Sequence, residues 1–379
     1  MLRRFCPDVS CPLQAKFQTT RAELAAALIE RDAEIDLALT ALLAQEHLLL
    51  VGPPGCGKSL LLDALLTWLT GGQRFTLLFT KFTVPEETFG PLSLAALKED
   101  KYRRITTGKL PEAHLGFLDE IFKASSAILN TLLRLLNERV CDTGDGPVPV
   151  PLRLCVAASN EWPAAQEGGQ ELAAVFDRFL FRTAVRPIAS GAGRQRLLWT
   201  RDHTPKLSTT ITPAEIDQAH QEARALAWSA AAKEALETIL RELAQEGIQP
   251  GDRRQHKAVR AAQAYAYLQG AAEVAPEHLE VLQHVLWVDP AEQPRKAAQV
   301  IARVANPVGM RVSSLLLEVE QILSGADLRH LAQAAAATAK LGEIDKQLGS
   351  LPGNGRLDRA RGYVRDQIKR IKLASLEAV

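Results

Sequence analysis

The sequence predicts an open α/β fold: a parallel sheet with helices on both faces, followed by an all-helical lid and a helical C-terminal domain. Three observations carry this. Short apolar runs alternate with helix-period segments between residues 48 and 185, the pattern of strand–helix–strand units. The first run ends in the glycine-rich stretch GPPGCGKS, Gly52 to Ser59, and a helical pattern follows it. Beyond Pro187 the strand signals stop, and Ala-rich helical segments take over around 222–245 and 253–272.

Each element has a local reason. Residues 1–19 carry little periodicity and two X-Pro breaks, Pro7 and Pro12, which predict an irregular arm. Over residues 20–45, Leu24, Leu28, Ile35, Leu39, Leu42 and Leu43 recur at helical spacing. Residues 48–51 are too few for a helix and read as a buried parallel strand. A helix over 58–70 and a strand over 75–79 follow. After an irregular stretch come a strand over 115–118, a helix over 124–138 and a strand over 152–158. A short helix over 171–176 and a last strand over 179–185 close the sheet. The expected domains are the α/β unit at 20–188, the helical lid at 189–292 and the C-terminal helices at 293–379. The last of these breaks at Asn306-Pro307, at Gly325 and in the loop 351–355.

Composition narrows the function classes. With 47% hydrophobic and 23% charged residues, the 379-residue chain has cores to build and is not a disordered polymer. A net charge of +1 supplies no global field towards nucleic acid or membrane. No apolar run approaches ~18 residues, so no transmembrane segment is expected. No apolar run follows Arg3 and Arg4 either, and the cytoplasm is the expected compartment. The cysteines Cys6, Cys11, Cys56, Cys141 and Cys155 are too sparse for a disulfide framework, and Cys6 with Cys11 lacks two further zinc ligands.

The chemistry concentrates at strand ends. In GPPGCGKS the glycines let backbone N–H groups curl around phosphates, and the next helix aims its positive end at the same anion. Lys58 would reach the β- and γ-phosphates and Ser59 a Mg²⁺ ion. The strand ending at Leu118 is followed by Asp119 and Glu120, two acids at the sheet edge where such folds bind ligands. Asp119 would hold the Mg²⁺ shell and Glu120 would polarise an attacking water. Asn160, after the strand ending at Ala158, would hydrogen-bond that water or the γ-phosphate, or else make a local turn. Arg178 precedes the last strand, and Arg253 and Arg254 open a lid helix. Spacing alone does not separate these arginines from solvated ones.

The runs GPPGCGKS, FTVPEETFGPLSLAALKEDKYRRITTGKLPEAHLGFLDEIFKASSAILNTLLRLLNERV (82–140), AASNEWP (157–163), ELAAVFDRF (171–179) and GDRRQHKAVRAAQAYAYL (251–268) resemble MoxR-type AAA+ ATPases, most closely their RavA branch. The resemblance covers roughly residues 20–290. It implies a P-loop AAA+ core that hydrolyses ATP to ADP. Gly52, Pro53, Pro54, Gly55, Cys56, Gly57, Lys58, Ser59 and Leu60 match Walker A. Ser59 and Asp119 would hold Mg²⁺, Glu120 is the Walker B acid and Asn160 is sensor 1. Arg178 matches the arginine finger that acts on a neighbour's ATP. Arg253 fits sensor 2 by its spacing of seven to Arg260, with Arg254 as the fallback. Residues 84–112 correspond to a helix-2 insert and 141–151 to the hairpin before sensor 1. The family also implies hexameric rings that remodel partner proteins, commonly with a von Willebrand A-domain protein. RavA-like proteins carry a β-rich insertion in the C-terminal domain. Here the residues after Pro294 read as helices, so whatever that insertion recruits does not carry over.

Two other readings compete. A nucleic-acid motor needs basic pore loops, yet the hairpin has Asp142 and Asp145 and no Lys or Arg. In the insert, Glu99 and Asp100 offset two of Lys98, Lys101, Arg103 and Arg104. A nucleotide-gated scaffold has no need of Glu120. The basic helix 356–372 places Leu357, Val364, Ile368 and Ile371 on one face, which suits ordinary packing.

Overall fold

The computed structural model describes residues 12–144, 146–163, 169–200, 203–325, 331–351 and 355–377. Cys6, Cys11, Asp145 and the loop residues 352–354 lie outside them. The first helix, α1 (Pro12–Ala27), corrects the expectation of an irregular arm through residue 19. Pro12 is its first residue, where a missing N–H costs nothing and the fixed φ favours a helix start. Leu13 and Phe17 are buried, and the Phe17 ring meets Trp68 edge-to-face at 5.1 Å. The repeat over 20–45 is two helices, because the chain turns at Glu30, φ 53°, before α2 (Asp32–Ala44).

The next elements are β1 (Leu48–Val51), α3 (Lys58–Trp68), β2 (Arg74–Leu78), α4 (Pro85–Phe89), α5 (Leu94–Leu97) and β3 (Leu115–Asp119). Then come α6 (Ser126–Glu138), a hairpin of β4 (Val140–Asp142) and β5 (Pro147–Pro149), β6 (Leu154–Ser159), α7 (Gly169–Arg178) and β7 (Phe181–Ala184). Five strands form one parallel sheet in the order β2-β3-β6-β1-β7. Every residue of β1 and β6 is buried, as central strands covered on both faces must be, whereas β2 at one edge exposes three of its five side chains. Leu48 stands opposite both Val156 and Phe181, so Val51, Ser159 and Ala184 end level. That register delivers the loops after β1, β3 and β6 to one edge. The last strand begins two residues later than expected, since Phe179 is taken up in a turn with its N–H on Phe176 O.

Beyond α8 (Gly191–Trp199) lie α9 (Pro213–Arg224), a two-residue strand β8 (Ala227–Trp228), α10 (Ala230–Gln245), α11 (Asp252–Leu268) and β9 (Glu273–Val274), which pairs with β8. A 3₁₀ segment (Pro276–His284) and α12 (Gln293–Ala305) follow. The buried alanines of α11, Ala258, Ala261 and Ala262 among them, suit its close packing on α2. Lys257 pairs with Glu46 and Arg153 grips Asp217 through two bonds of 2.6 and 2.7 Å, tying the helical half to the base of the sheet. Three further helices, α13 (Pro307–Gly325), α14 (Leu331–Gly349) and α15 (Gly355–Glu377), share a separate core that includes Leu315, Leu341, Leu348 and Val364. Leu357, Val364 and Ile371 of the basic last helix are buried in it. Among the described residues no single helix is long and apolar enough to cross a membrane.

Candidate functional site

The loop between β1 and α3 is shaped by its glycines. Gly55 and Gly57 take φ of +78° and +77°, a region that side chains with a Cβ avoid. Gly52 is needed for a different reason: a Cβ there would lie 2.2 Å from the Val185 carbonyl oxygen. Gly57 precedes α3, and Lys58 is the helix's first residue, buried with its ammonium curled back over the loop. Lys58 Nζ donates to Gly52 O, to Pro53 O at 3.2 Å and to Asn160 Oδ1 at 3.4 Å. The Asn160 amide donates in turn to Glu120 Oε1. Residues from the ends of three strands thus form one line, Lys58–Asn160–Glu120. The Asn160 side chain lies between Lys58 and Glu120.

Glu120 sits in left-handed backbone, φ 54° and ψ 43°, at a cost of roughly 1–2 kcal/mol for a residue with a side chain. Its N–H donates to Asp119 Oδ1 at 3.0 Å and its carboxylate lies 3.4 Å from Lys123 Nζ. The turn aims Glu120 across the sheet edge while Asp119 stays at the end of β3. Burial pushes the Asp119 carboxyl above its usual range, and the neighbouring Glu120 charge adds to that. A divalent cation beside it would reverse both effects. Among the described residues no three His, Cys, Asp or Glu side chains cluster to hold a metal. One carboxylate and the exposed Ser59 hydroxyl fit Mg²⁺, which takes most of its ligands from phosphates and water.

A cavity of about 560 Å³ adjoins the loop. Pro53 to Gly57 and Leu60 form one wall, Leu28, Ile29 and Arg31 a second, and Ile188, Arg194 and Leu197 of the chain after β7 a third. Sequence reasoning missed the braces of this cavity. Buried Arg31 donates to Cys56 O and Arg186 O, both at 2.9 Å. Glu30 accepts from Ala189 N at 2.8 Å and from Ser190 N at 3.0 Å, at the start of α8. No motif or spacing distinguishes Glu30, Arg31 or Arg194 in the chain. Cys56 is a free, buried thiol facing the same space.

The remaining predicted residues lie elsewhere. Arg178 closes α7 just before β7, at the opposite end of the sheet from Lys58. It shares a small cleft with Arg253, Arg254, Lys257 and Asp177. Arg253 is exposed there, so within one chain neither Arg178 nor Arg253 meets the P-loop. Arg254, the fallback for Arg253, is buried and saturated by its own fold. It donates to Leu180 O and Val285 O at 3.0 Å and to Asp177 O and Oδ1 at 2.8 and 2.9 Å. Burial alone would raise the Asp177 pKa, but the charge and hydrogen bond of Arg254, with the charges of Arg182 and Arg178, together hold that carboxyl below its ordinary range.

Comparison with known proteins gives the family. The family of the MoxR domain in the MoxR-vWA-beta-propeller ternary systems matches residues 15–221, and an AAA lid domain matches 233–300. The chain belongs to the MoxR family of AAA+ ATPases. An uncharacterized protein of Methanocaldococcus jannaschii is 37% identical, over 87% of this chain and 86% of its own length. Protein MoxR of Paracoccus denitrificans is 28% identical, over 76% and 94%. A crystal structure of a candidate ATPase from Cytophaga hutchinsonii superposes with a TM-score of 0.61 at 18% identity, covering 78% of this chain and 95% of that one. That likeness concerns the fold alone. The bundle α13–α15 lies outside both matched family regions.

Proposed function

We propose that this chain is an ATP hydrolase whose complete sites form between neighbouring subunits of a homo-oligomeric ring, a hexamer, and that turnover remodels or activates partner proteins in the cytoplasm. The observation that carries this is the separation of the charged groups. Lys58, Asn160 and Glu120 gather at the carboxyl ends of the strands, whereas Arg178 and Arg253 sit beyond the amino end of β7. β1 alone spans roughly 10 Å between those ends, at about 3.3 Å per residue step. A phosphate held by Lys58 therefore meets those arginines only if a second copy brings them.

In this reading the P-loop amides and Lys58 hold the triphosphate, and Lys58 exchanges its contacts with Gly52 and Pro53 for phosphate oxygens. Ser59 and Asp119 would hold Mg²⁺, which would supply positive charge against the phosphates. Glu120 takes the proton of the attacking water, and Asn160, already tied to Glu120, fixes the direction of attack. The neighbour's Arg178 steadies charge on the γ-phosphoryl oxygens, with Arg253 beside it. The matched family description names von Willebrand A-domain and β-propeller proteins, and we take a von Willebrand A-domain protein as the first partner to test. The likeness to the RavA branch rests on the motif runs. The acidic hairpin keeps a nucleic-acid motor the less favoured reading.

Titrating Arg178→Ala into wild-type protein tests the shared site. A trans-acting finger contributes ~10³–10⁵ in rate, so mixed rings should lose activity faster than the mutant fraction rises. A strictly proportional loss would place Arg178 outside the reaction.

A further inference from the structure

We propose that the cleft between the open edge of β7, the Pro276–His284 segment and α12 receives an acidic, extended segment of a partner protein. The sheet order leaves one side of β7 without a neighbouring strand. Phe181 and Val185 point their N–H groups at β1, onto His47 O and Val51 O at 3.1 and 2.7 Å. Strand alternation then turns the polar backbone groups of Arg182 and Ala184 outward. His284 covers the Arg182 backbone. Ala184 remains exposed in the wall of a cleft of about 740 Å³. An incoming strand finds a main-chain edge there, the usual foothold for an extended peptide.

Charge selects the peptide. Among the described residues the cleft wall includes Arg182, Arg186 and Arg295 and not one Asp or Glu. Nearby acids are already engaged: Glu292 lies 3.9 Å from Lys296, and Asp289 accepts from Ala291 N. Arg182 is the unusual member. Its guanidinium is fully buried between the rings of Phe176 and Trp287, 4.5 and 4.3 Å from their centroids. One of its nitrogens donates to Trp287 O, while Nε and the other terminal nitrogen are buried without a hydrogen-bond partner among the described residues. A guanidinium keeps its proton and is costly to bury, and the Asp177 carboxylate, already paired with Arg254, offsets only part of that cost. Carboxylates in the adjoining cleft would offset that charge, and the side of Trp162 supplies an apolar wall for alternate residues.

Only the owner of the segment rests on the partner-remodelling reading above; the affinity does not. The test uses the full chain and a fluorescein-labelled, end-blocked peptide of alternating Glu and Val, with the Lys–Val counterpart as control, followed by anisotropy. The acidic peptide should bind and the basic one should not. Arg295→Glu, on an exposed position, should keep the wild-type melting temperature and weaken binding at least about tenfold, and Gln299→Glu should act in the same direction. Lys58→Ala, which removes nucleotide binding in the reading above, should leave peptide affinity unchanged, so the two proposals fail separately. Equal binding of both peptides, or wild-type affinity in Arg295→Glu, overturns the proposal. So does full displacement by inorganic phosphate with no effect of an unlabelled acidic peptide, which would assign the cleft to a small oxyanion.

Discussion

Arg253 and Arg254 are neighbours in sequence and identical in chemistry. Their surroundings predict opposite phenotypes. Arg254→Met keeps the aliphatic stem and removes the charged fork. The carbonyls of Asp177, Leu180 and Val285 then lose a donor, and the Asp177 carboxylate loses its partner. Removing one member of a buried charge pair typically costs about 3–5 kcal/mol. The Asp177 side chain is 49% exposed, so water can take over part of the lost interaction and the lower end applies, about 3 kcal/mol. For a cooperative unit of ordinary size that lowers the melting midpoint by roughly 6–12 °C. Arg253→Ala touches an exposed side chain and should change stability by no more than about 0.5 kcal/mol, while ATP turnover falls. Thermal melting by circular dichroism and a coupled phosphate-release assay on both variants separate the outcomes. If Arg254→Met melts with the wild type, or Arg253→Ala falls as far, the assignment of one arginine to the scaffold and the other to the site is wrong.

Three further outcomes are expected. Glu120→Gln should retain a fluorescent ATP analogue yet hydrolyse ATP at least about 100-fold slower, and near-normal turnover would remove Glu120 from the reaction. Gly52→Ala forces a Cβ against the Val185 carbonyl; a clash of that kind costs about 1–3 kcal/mol and displaces the loop, so melting point and nucleotide affinity should fall together. Stability should also fall as pH drops below about 6.5. Burial holds His47, His220, His278 and His284 below the usual imidazole range, His284 at about 4. The unfolded chain then binds protons that the native state refuses, at about 1.4 kcal/mol per unit of separation. Glu34 and Asp119, raised by burial, act in the opposite direction only at lower pH, where carboxylates titrate. Urea titrations at pH 7.5 and 5.5 measure the difference, and superimposed curves would refute it.

The sheet was legible because its physics is local. Four apolar residues ahead of a glycine, and a pair of acids after another apolar run, place β1, β3 and the chemical edge without long-range information. The start of α1 was not, because a proline between two irregular residues and a proline opening a helix look alike until Phe17 finds Trp68. Lys58, Asn160 and Glu120 could each be nominated from a strand end, but their alignment depends on strand order, which no short stretch encodes. The sequence offers Arg253 as a ligand of the nucleotide but does not say where α11 packs. Its distance from the P-loop is a tertiary fact, set by the seating of α11 on α2 and by Arg254 reaching into the turn before β7. Glu30 and Arg31 left no sequence trace, since a Glu-Arg pair at a helix end is among the most ordinary of dipeptides.

Glu30 and Arg31 tie the site together mechanically. Arg31 is pinned to the phosphate loop at Cys56 and to the chain leaving the sheet at Arg186, and Glu30 to the first turn of α8 at Ser190. Two consecutive side chains therefore bolt three segments that are far apart in the chain. On the proposed reading, a shift of the loop on gaining or losing a phosphate would pass through a bracket a few ångströms long to the entrance of the helical half. Loosening the bolt would leave a molecule that still grips its fuel but no longer feels when the fuel is spent.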